Sequence, residues 1–311
     1  MSEPFHGHVL RTRVYIDGYN LYYGCLKGTA FKWLDLLALF EKRIIPSALL
    51  EHNGKPLASE LLPVAVKFFT AKIIEKAAKA PDSVASQAHY HSALRKFHQG
   101  RVEVIEGYYS LIESKAKIVD AEAPRKWPRD CSEILVWKLE EKQSDVNLAL
   151  QLYHDAMSGQ IDHAIVATND TDIAPALAML RKHTLVKIGL VIPTRNRQRV
   201  PNAALQEHVH WCRRSINDDE LRATQLPRVI VGGRQPTLKP DTWYAQPALF
   251  KSILKEAIQV KGSRTAAFKW MEAPNSYLDD QRPIELAETE EGAAQVMRYI
   301  TSWGRQKTAL D

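Results

Sequence analysis

The stretch Val14-Tyr15-Ile16-Asp17-Gly18-Tyr19-Asn20 decides the fold of this chain. Its β-branched and aromatic residues predict a strand, and the abrupt change to Asp-Gly-Tyr-Asn predicts a turn through Gly18 into a helix. In an open parallel α/β sheet, ligands bind outside the carboxyl ends of the strands. The sequence therefore predicts that Asp17 and Asn20 lie at a ligand-binding edge of such a sheet.

Further strands and helices alternate along the chain. Asp145 opens a predicted helix whose apolar face carries Val146, Ala149, Leu150 and Tyr153. The remaining predicted elements are strands at 64–70, 101–110, 134–139, 163–168 and 186–192, and helices at 20–24, 33–43, 83–99 and 173–183. This alternation indicates an α/β class with a central, mainly parallel sheet.

A Pro- and Gly-rich linker near residues 227–240 separates two regions of different composition. After the linker, residues 247–260, 263–272 and 289–303 show helical patterns, and no strand pattern lies between them. We therefore predict two domains, an α/β domain at 9–235 and a small all-helical domain at 241–311.

Length and composition describe an ordinary globular protein. The chain has 311 residues, of which 45% are hydrophobic, and only three are cysteines. Three widely spaced cysteines argue against a disulfide framework and favour a reducing compartment. With no apolar run of membrane-spanning length and no signal-peptide pattern, the sequence predicts a cytoplasmic protein without a membrane partner.

The net charge of +6 is unevenly distributed. Residues 181–239 hold twelve Lys or Arg against four Asp or Glu. A clustered basic surface indicates a polyanionic partner, most simply nucleic acid, although a solvated basic surface without a partner explains the count as well. Arg195, Arg197 and Arg199 form a basic loop after a strand, and with Lys142 they are the predicted contacts to a nucleic-acid backbone.

Four carboxylates follow strand ends or open helices, which places them on the same edge of a parallel sheet: Asp17, Asp145, Asp170 and Asp172. Asn20 lies beside them. Gathering carboxylates is costly unless a cation compensates, and oxygen ligands without Cys or His suit Mg²⁺ or Mn²⁺. Such an ion activates water for attack on a phosphodiester. The alternative is that each Asp or Asn only caps a helix or a turn.

These residues also carry a resemblance to a known family. The first stretch resembles the opening motif of the NYN domain, a PIN-like, LabA-like nuclease family, and residues 104–107, 141–149 and 166–172 are similar to its later motifs. The resemblance implies a PIN-like Rossmannoid fold over residues 9–235 and metal-dependent RNA cleavage. Asp17, Asn20, Asp145, Asp170 and Asp172 fall on the family's acidic-site positions.

The tail resembles a second family. Trp270–Asn275, Leu278, Arg282–Leu286 and Val296 look like the toxin-binding domain of Xre/MbcA/ParS-type antitoxins. The resemblance covers residues 241–311 and implies a helical interaction module for self-association or a protein partner. A helical cap that only packs on the first domain is the alternative.

Together these features predict a metal-dependent endoribonuclease (a hydrolase) with a C-terminal interaction module. Asp17 and Asp172 would be the principal metal ligands, Asp145 and Asp170 would bind directly or through water, and Asn20 would orient a ligand or the water. Two alternatives stay open: a non-catalytic RNA- or protein-binding regulator on the same fold, and a DNA nuclease.

Overall fold

The computed structural model describes residues 9–48, 51–52, 55–233 and 235–308. The last three residues of the predicted helical domain, 309–311, lie outside the described part. The strands are β1 Leu10–Asp17, β2 Glu51–His52, β3 Lys55–Pro56, β4 Ser59–Lys72, β5 Val102–Lys117, β6 Glu133–Lys142, β7 His163–Ala167, β8 Lys187–Val191, β9 Trp211–Arg213, β10 Val229–Ile230 and β11 Thr237–Leu238. The α-helices are α1 Gly18–Leu21, α2 Leu36–Leu39, α3 Ser83–His98, α4 Ser144–Met157, α5 Ala174–His183, α6 Ala203–Gln206, α7 Asp218–Ala223, α8 Pro247–Lys261, α9 Arg264–Glu272, α10 Pro283–Leu286 and α11 Glu290–Thr308.

A seven-stranded sheet organises the first part of the chain. Its strand order is β6-β5-β4-β1-β7-β8-β9, and all neighbours run parallel except the antiparallel pair β5 and β6. β1 lies at the centre and is buried along nearly its whole length, as its β-branched and aromatic composition predicts. The predicted α/β class with a mainly parallel sheet and C-terminal helices is therefore confirmed.

The described residues form two compact units. One comprises the chain up to Lys27 together with Leu34–Thr237, and the other comprises Gly28–Trp33 together with the chain from Leu238 onward. The segment Gly28–Trp33 joins the second unit because Trp33 is fully buried there, with its ring centroid 6.1 Å from that of Trp243. The predicted domains at 9–235 and 241–311 stay a prediction. The amino-acid composition does not indicate that residues 28–33 belong to the second unit.

Helix α4 buries a different face from the predicted one. Val146 and Leu150 are 60% and 62% exposed, whereas Leu148 and Leu152 are fully buried. The buried face also carries Asp155, a carboxylate whose Oδ2 accepts hydrogen bonds from Tyr15 (2.6 Å), Arg13 (2.7 Å) and Lys67 (2.8 Å). Ala149 and Tyr153 of the predicted face are only partly buried against the core. The two leucines and the ion network of Asp155 together explain the observed rotation of the helix.

Strands β5 and β6 continue far beyond the rest of the sheet. β4 pairs with β5 only as far as Lys72 opposite Tyr108, and from Tyr109 to Lys117 β5 pairs with β6 alone. We call residues 109–117 and 133–141 the arm. Because β4 ends at Lys72, the arm extends past the carboxyl edge of the parallel strands. The sequence predicts strands at 101–110 and 134–139, which are shorter than observed.

Candidate active site

The carboxyl edge of the sheet brings most of the predicted site residues together. Asp17 ends β1 and is only 4% exposed. Its Oδ1 accepts a hydrogen bond from the Asn20 backbone N–H (2.9 Å). Its Oδ2 accepts bonds from Asn20 Nδ2 (2.6 Å) and from the Thr168 hydroxyl (2.7 Å). Three donors therefore hold Asp17 in place.

The loop after β7 supplies the next two carboxylates. Thr168 follows the last residue of β7, and its Oγ1 accepts the Asp170 N–H (3.0 Å). Asp170 Oδ1 in turn accepts the Asp172 N–H (3.0 Å), which caps the single 3₁₀ turn Thr171–Ile173. Capping thus explains the position of Asp170, while Asp172 is exposed.

Strand β6 adds a carboxylate that the predicted site does not include. β6 runs antiparallel to β5, so its last residues return to the carboxyl edge, where Glu141 lies opposite Tyr109. The Tyr109 hydroxyl donates to Glu141 Oε2 at 3.3 Å. The alternation of side chains along β6 decides which face of the strand carries Glu141. The antiparallel register with β5 then brings that face to the site, and a single sequence does not reveal this register.

A left-handed residue and a glycine set the position of Asp145. Gln143 has φ 77° and turns the chain from β6 into α4. A Cβ atom on Gly107 would lie 2.3 Å from the Lys142 carbonyl oxygen, so only glycine lets β5 approach this turn. Asp145 is then held in the first turn of α4, as predicted.

These carboxylates share one electrostatic environment. Burial and then, in decreasing order, the charges of Asp17, Asp170, Glu141 and Asp172 together raise the pKa of Asp145 to about 6. Burial also raises the pKa values of Asp17 and Glu141, although hydrogen bonds oppose the shift in both. We call these five residues, Asp17, Glu141, Asp145, Asp170 and Asp172, the acidic cluster.

Aromatic rings border the acidic cluster. The Tyr19 and Tyr23 ring centroids are 4.4 Å apart with an interplanar angle of 39°. Tyr109 is close enough to Tyr23 and Tyr19 for both to raise its pKa, after burial and Glu141. We call Tyr19, Tyr23 and Tyr109 the tyrosine shelf. Lys27 Nζ lies 4.7 Å from the Tyr23 ring centroid.

Two of the four predicted basic contacts form ion pairs with neighbouring carboxylates. Arg195 forms a bidentate ion pair with Asp218, with Nη2 2.6 Å from Oδ2. Lys142 pairs with Glu140 at 2.5 Å. Arg197 is exposed in a left-handed turn, and Arg199 is half-buried.

One known protein is similar to this chain over its full length. The chain is 60% identical over 312 residues to 6-hydroxy-3-succinoylpyridine 3-monooxygenase HspA of Pseudomonas putida, which covers 100% of both chains. This chain belongs to the HspA family. Residues 256–303, within the second unit, match the antitoxin Xre/MbcA/ParS C-terminal toxin-binding domain, which confirms the predicted resemblance of the tail.

One solved structure is also similar. It is the crystal structure of a Vibrio parahaemolyticus protein of unknown function, 15% identical, with a TM-score of 0.35, covering 69% of this chain and 97% of that one. This similarity is too low to indicate a shared function.

Membership of the HspA family corrects the predicted activity. The relative is named as a monooxygenase, so the predictions of a ribonuclease, a hydrolase and a Mg²⁺ or Mn²⁺ cofactor are wrong, and RNA as substrate has no support. Within the part of the chain that the structure describes, no three His, Cys, Asp or Glu side chains gather closely enough to hold a metal ion. The physical reason at Asp17 is that hydrogen bonds from neutral donors, rather than an ion, satisfy its oxygens.

The described helices include none that is long and apolar enough to cross a bilayer.

Proposed function

We propose that this chain is a monooxygenase acting on 6-hydroxy-3-succinoylpyridine or a closely similar hydroxypyridine with an acyl carboxylate side chain. The observation that carries the proposal is the 60% identity over the full length of a protein named for that activity. On this proposal the first unit is a PIN-like, NYN-related domain used for oxygenation, and the helical unit serves contact with a protein partner.

The substrate ring would lie between the tyrosine shelf and the acidic cluster. A flat hydroxypyridine suits stacking against Tyr19, which is 47% exposed. The ring hydroxyl and a protonated ring nitrogen are donors, and carboxylates accept such bonds strongly. The substrate carboxylate would be repelled by the acidic cluster, so it would point towards Lys27, the cation beside Tyr23.

Asp145 is the base that we propose for this chemistry. Ring positions 3 and 6 are opposite each other, so removing the proton of the 6-hydroxyl raises electron density at carbon 3, where the oxygen would be added. Carbon 3 carries the succinoyl group, so the bond between the ring and the acyl carbon breaks as the new C–O bond forms. With O₂ and four electrons from two NADH, the acyl group would leave as the four-carbon aldehyde acid and the second oxygen atom as water. A base is most effective when its pKa lies near the working pH, and Asp145 has a pKa of about 6. Glu141 would hold the hydroxyl end of the ring in place, and the buried Asp17, already held by three donors, would contribute negative charge beside it.

The residues at this edge do not fit the phosphate of a flavin nucleotide, the cofactor that a monooxygenase relative suggests. Carboxylates line the edge where a doubly wound sheet binds phosphate, and they would repel it. A Cβ atom on Gly18 would lie 2.6 Å from the Phe69 carbonyl oxygen, so Gly18 serves packing rather than phosphate approach. We therefore assign this edge to the organic substrate.

The test is oxygen incorporation by the purified full-length protein. 6-Hydroxy-3-succinoylpyridine is incubated under ¹⁸O₂ with NADH or NADPH, with and without added FMN or FAD. We expect substrate loss and one ¹⁸O atom in the ring product, and no turnover under argon. Absence of ¹⁸O product with every donor combination would refute the proposal.

A substrate analogue tests whether the reaction requires the 6-hydroxyl. 3-Succinoylpyridine keeps the ring and the carboxylate but lacks the 6-hydroxyl. If Asp145 acts on that hydroxyl, the analogue should inhibit competitively and not be oxidised. Oxidation of the analogue at the rate of the parent compound would remove Asp145 from the proposed role.

A further inference from the structure

The arm exposes apolar side chains on both of its faces. Leu135 and Trp137 are 65% and 66% exposed on one face, and Ile134 is 48% exposed on the other. A soluble monomer rarely shows apolar surface in such density, and contiguous patches of this kind mark interaction sites. The arm therefore needs an occupant.

The arm also lacks the strands that would stabilise it. From Tyr109 onward β5 pairs with β6 only, so the arm is a two-stranded ribbon. Such a ribbon is marginally stable in water, and three or more strands are usually required. A further strand from outside the sheet described here would stabilise the arm.

The two edges of the arm differ in how they are protected. β5 carries Glu113, Lys115 and Lys117, and charged residues on an edge strand discourage pairing with another chain. β6 is charged at both ends, but between them it carries four consecutive uncharged apolar residues, Ile134 to Trp137, and no other strand of this sheet pairs with its outer edge. β6 is therefore the edge that is open to an additional strand.

We propose that β6 pairs antiparallel with β6 of a second copy of this chain, which joins the two arms into a four-stranded sheet. A two-fold axis through Trp137 would place Trp137 opposite its own copy and Leu135 opposite Leu139 on the same face. Directly opposed apolar and aromatic pairs stabilise antiparallel strands. The apolar centre of the strand is thus complementary to itself, which favours a second copy over an unrelated partner, while Glu133 opposite Glu141 at each end opposes the pairing.

The pairing would support the candidate site as well. Tyr109 and Glu141 stand at the base of the arm on the face that carries Leu135, Trp137 and Leu139. Fixing the arm would reduce the movement of these two side chains. The inference itself rests on the arm alone and does not depend on the proposed function.

The first measurement is the mass of the full-length protein in solution, by light scattering on a sizing column. We expect a dimer that becomes a monomer in the double variant Leu135→Lys with Trp137→Lys, because the two charges at position 137 would face each other across the axis and those at position 135 would lie opposite Leu139. Val119→Lys is the matched control, since Val119 is 77% exposed and lies outside both strands. A wild type that is monomeric at all concentrations would overturn the proposal.

A disulfide cross-link between two copies tests the pairing of β6 even if the double variant does not fold. In a Cys131→Ser background, Trp137→Cys should form a disulfide-linked dimer on mild oxidation, because the two Cβ atoms face each other directly. Lys138→Cys should not, because it faces Val136 of the second copy. A dimer that leaves Trp137→Cys unlinked would show association through another surface, such as the helical unit, and would also overturn the proposal.

Discussion

Asp145 titrates close to neutral pH because four other carboxylates and partial burial disfavour its charge. If it is the base, the rate at limiting substrate should rise with pH through a limb near pH 6 and level off above it. Asp145→Asn should abolish this limb and lower turnover about a hundredfold or more. Asp219→Asn, an exposed carboxylate on α7, is the control. A limb that persists in Asp145→Asn would assign the titration to another group.

The raised pKa of Asp145 makes the stability of the protein depend on pH. The folded pKa of Asp145 lies above the ordinary value, so between about pH 4 and pH 6 the folded state binds more protons than the unfolded state. Stability is therefore lost as the pH rises through this window. Asp145→Asn should be more stable than wild type at pH 7, by about 1 kcal/mol after allowance for solvent screening, and by about half as much at pH 5. Thermal unfolding at the two pH values checks this, and an equal difference at both would contradict it.

Gly107 admits the turn that holds Asp145. A methyl group there would lie 2.3 Å from the Lys142 carbonyl oxygen, and backbone must move to relieve the contact. Gly107→Ala should cost about 1–3 kcal/mol and reduce activity, since Asp145 moves with the turn. Adding Ser144→Ala should not restore either property, because the closest atom is backbone. Rescue by that second change would show that the serine side chain is the obstacle.

At the scale of elements, the network around Asp155 joins α4 to β1 and β4. Burial raises the pKa of Asp155, but hydrogen bonds from Lys67, Tyr15 and Arg13 outweigh it and hold the pKa below its ordinary value. Its contribution to stability is therefore present above about pH 4 and is lost as the pH falls below it. Asp155→Asn should cost about 3–5 kcal/mol at pH 7, because two cations are left without their anion.

The exposed pair of Glu41 with Arg101 provides the matched control for this network. Glu41→Gln should cost less than about 1 kcal/mol. Denaturant unfolding of both variants measures the difference. Equal losses would mean that the contribution of Asp155 does not come from its buried partners.

The elements that the sequence predicts correctly are those with a single strong pattern. β1 contains the apolar run Val14-Tyr15-Ile16, and Asp17 at the end of β1 and Asp170 after β7 lie at the edge of the sheet as predicted, because strand ends follow from turn chemistry. The features that the sequence does not predict depend on contacts between residues distant in sequence. The inward face of α4 depends on Asp155, Glu141 depends on the register of β6, and the length of β5 is set by its partner. A chemical role is harder still, since a group of carboxylates suits a metal and a hydroxypyridine alike.

At the scale of the whole molecule, the second unit takes a segment from the first part of the chain. A protein ending at Pro236 would leave Trp33 without Trp243, its partner at 6.1 Å. We therefore expect that protein to unfold at a lower temperature and to aggregate. The full-length variant Trp243→Ala should show part of the same loss, about 3–5 kcal/mol at most. An unchanged melting temperature in the shortened protein would indicate that the two units are independent.

The antiparallel ribbon also limits how the length of this chain can change in its relatives. Residues 118–132 join β5 to β6 outside both strands, so insertions and deletions of any size can be accommodated there. A single residue added within β6 would move all the side chains on one side of the insertion to the opposite face of the sheet. Either Glu141 or Trp137 would then lie on the wrong face. We therefore expect members of the HspA family to differ in length at the tip of this ribbon, and to change the strand itself only by two residues at a time.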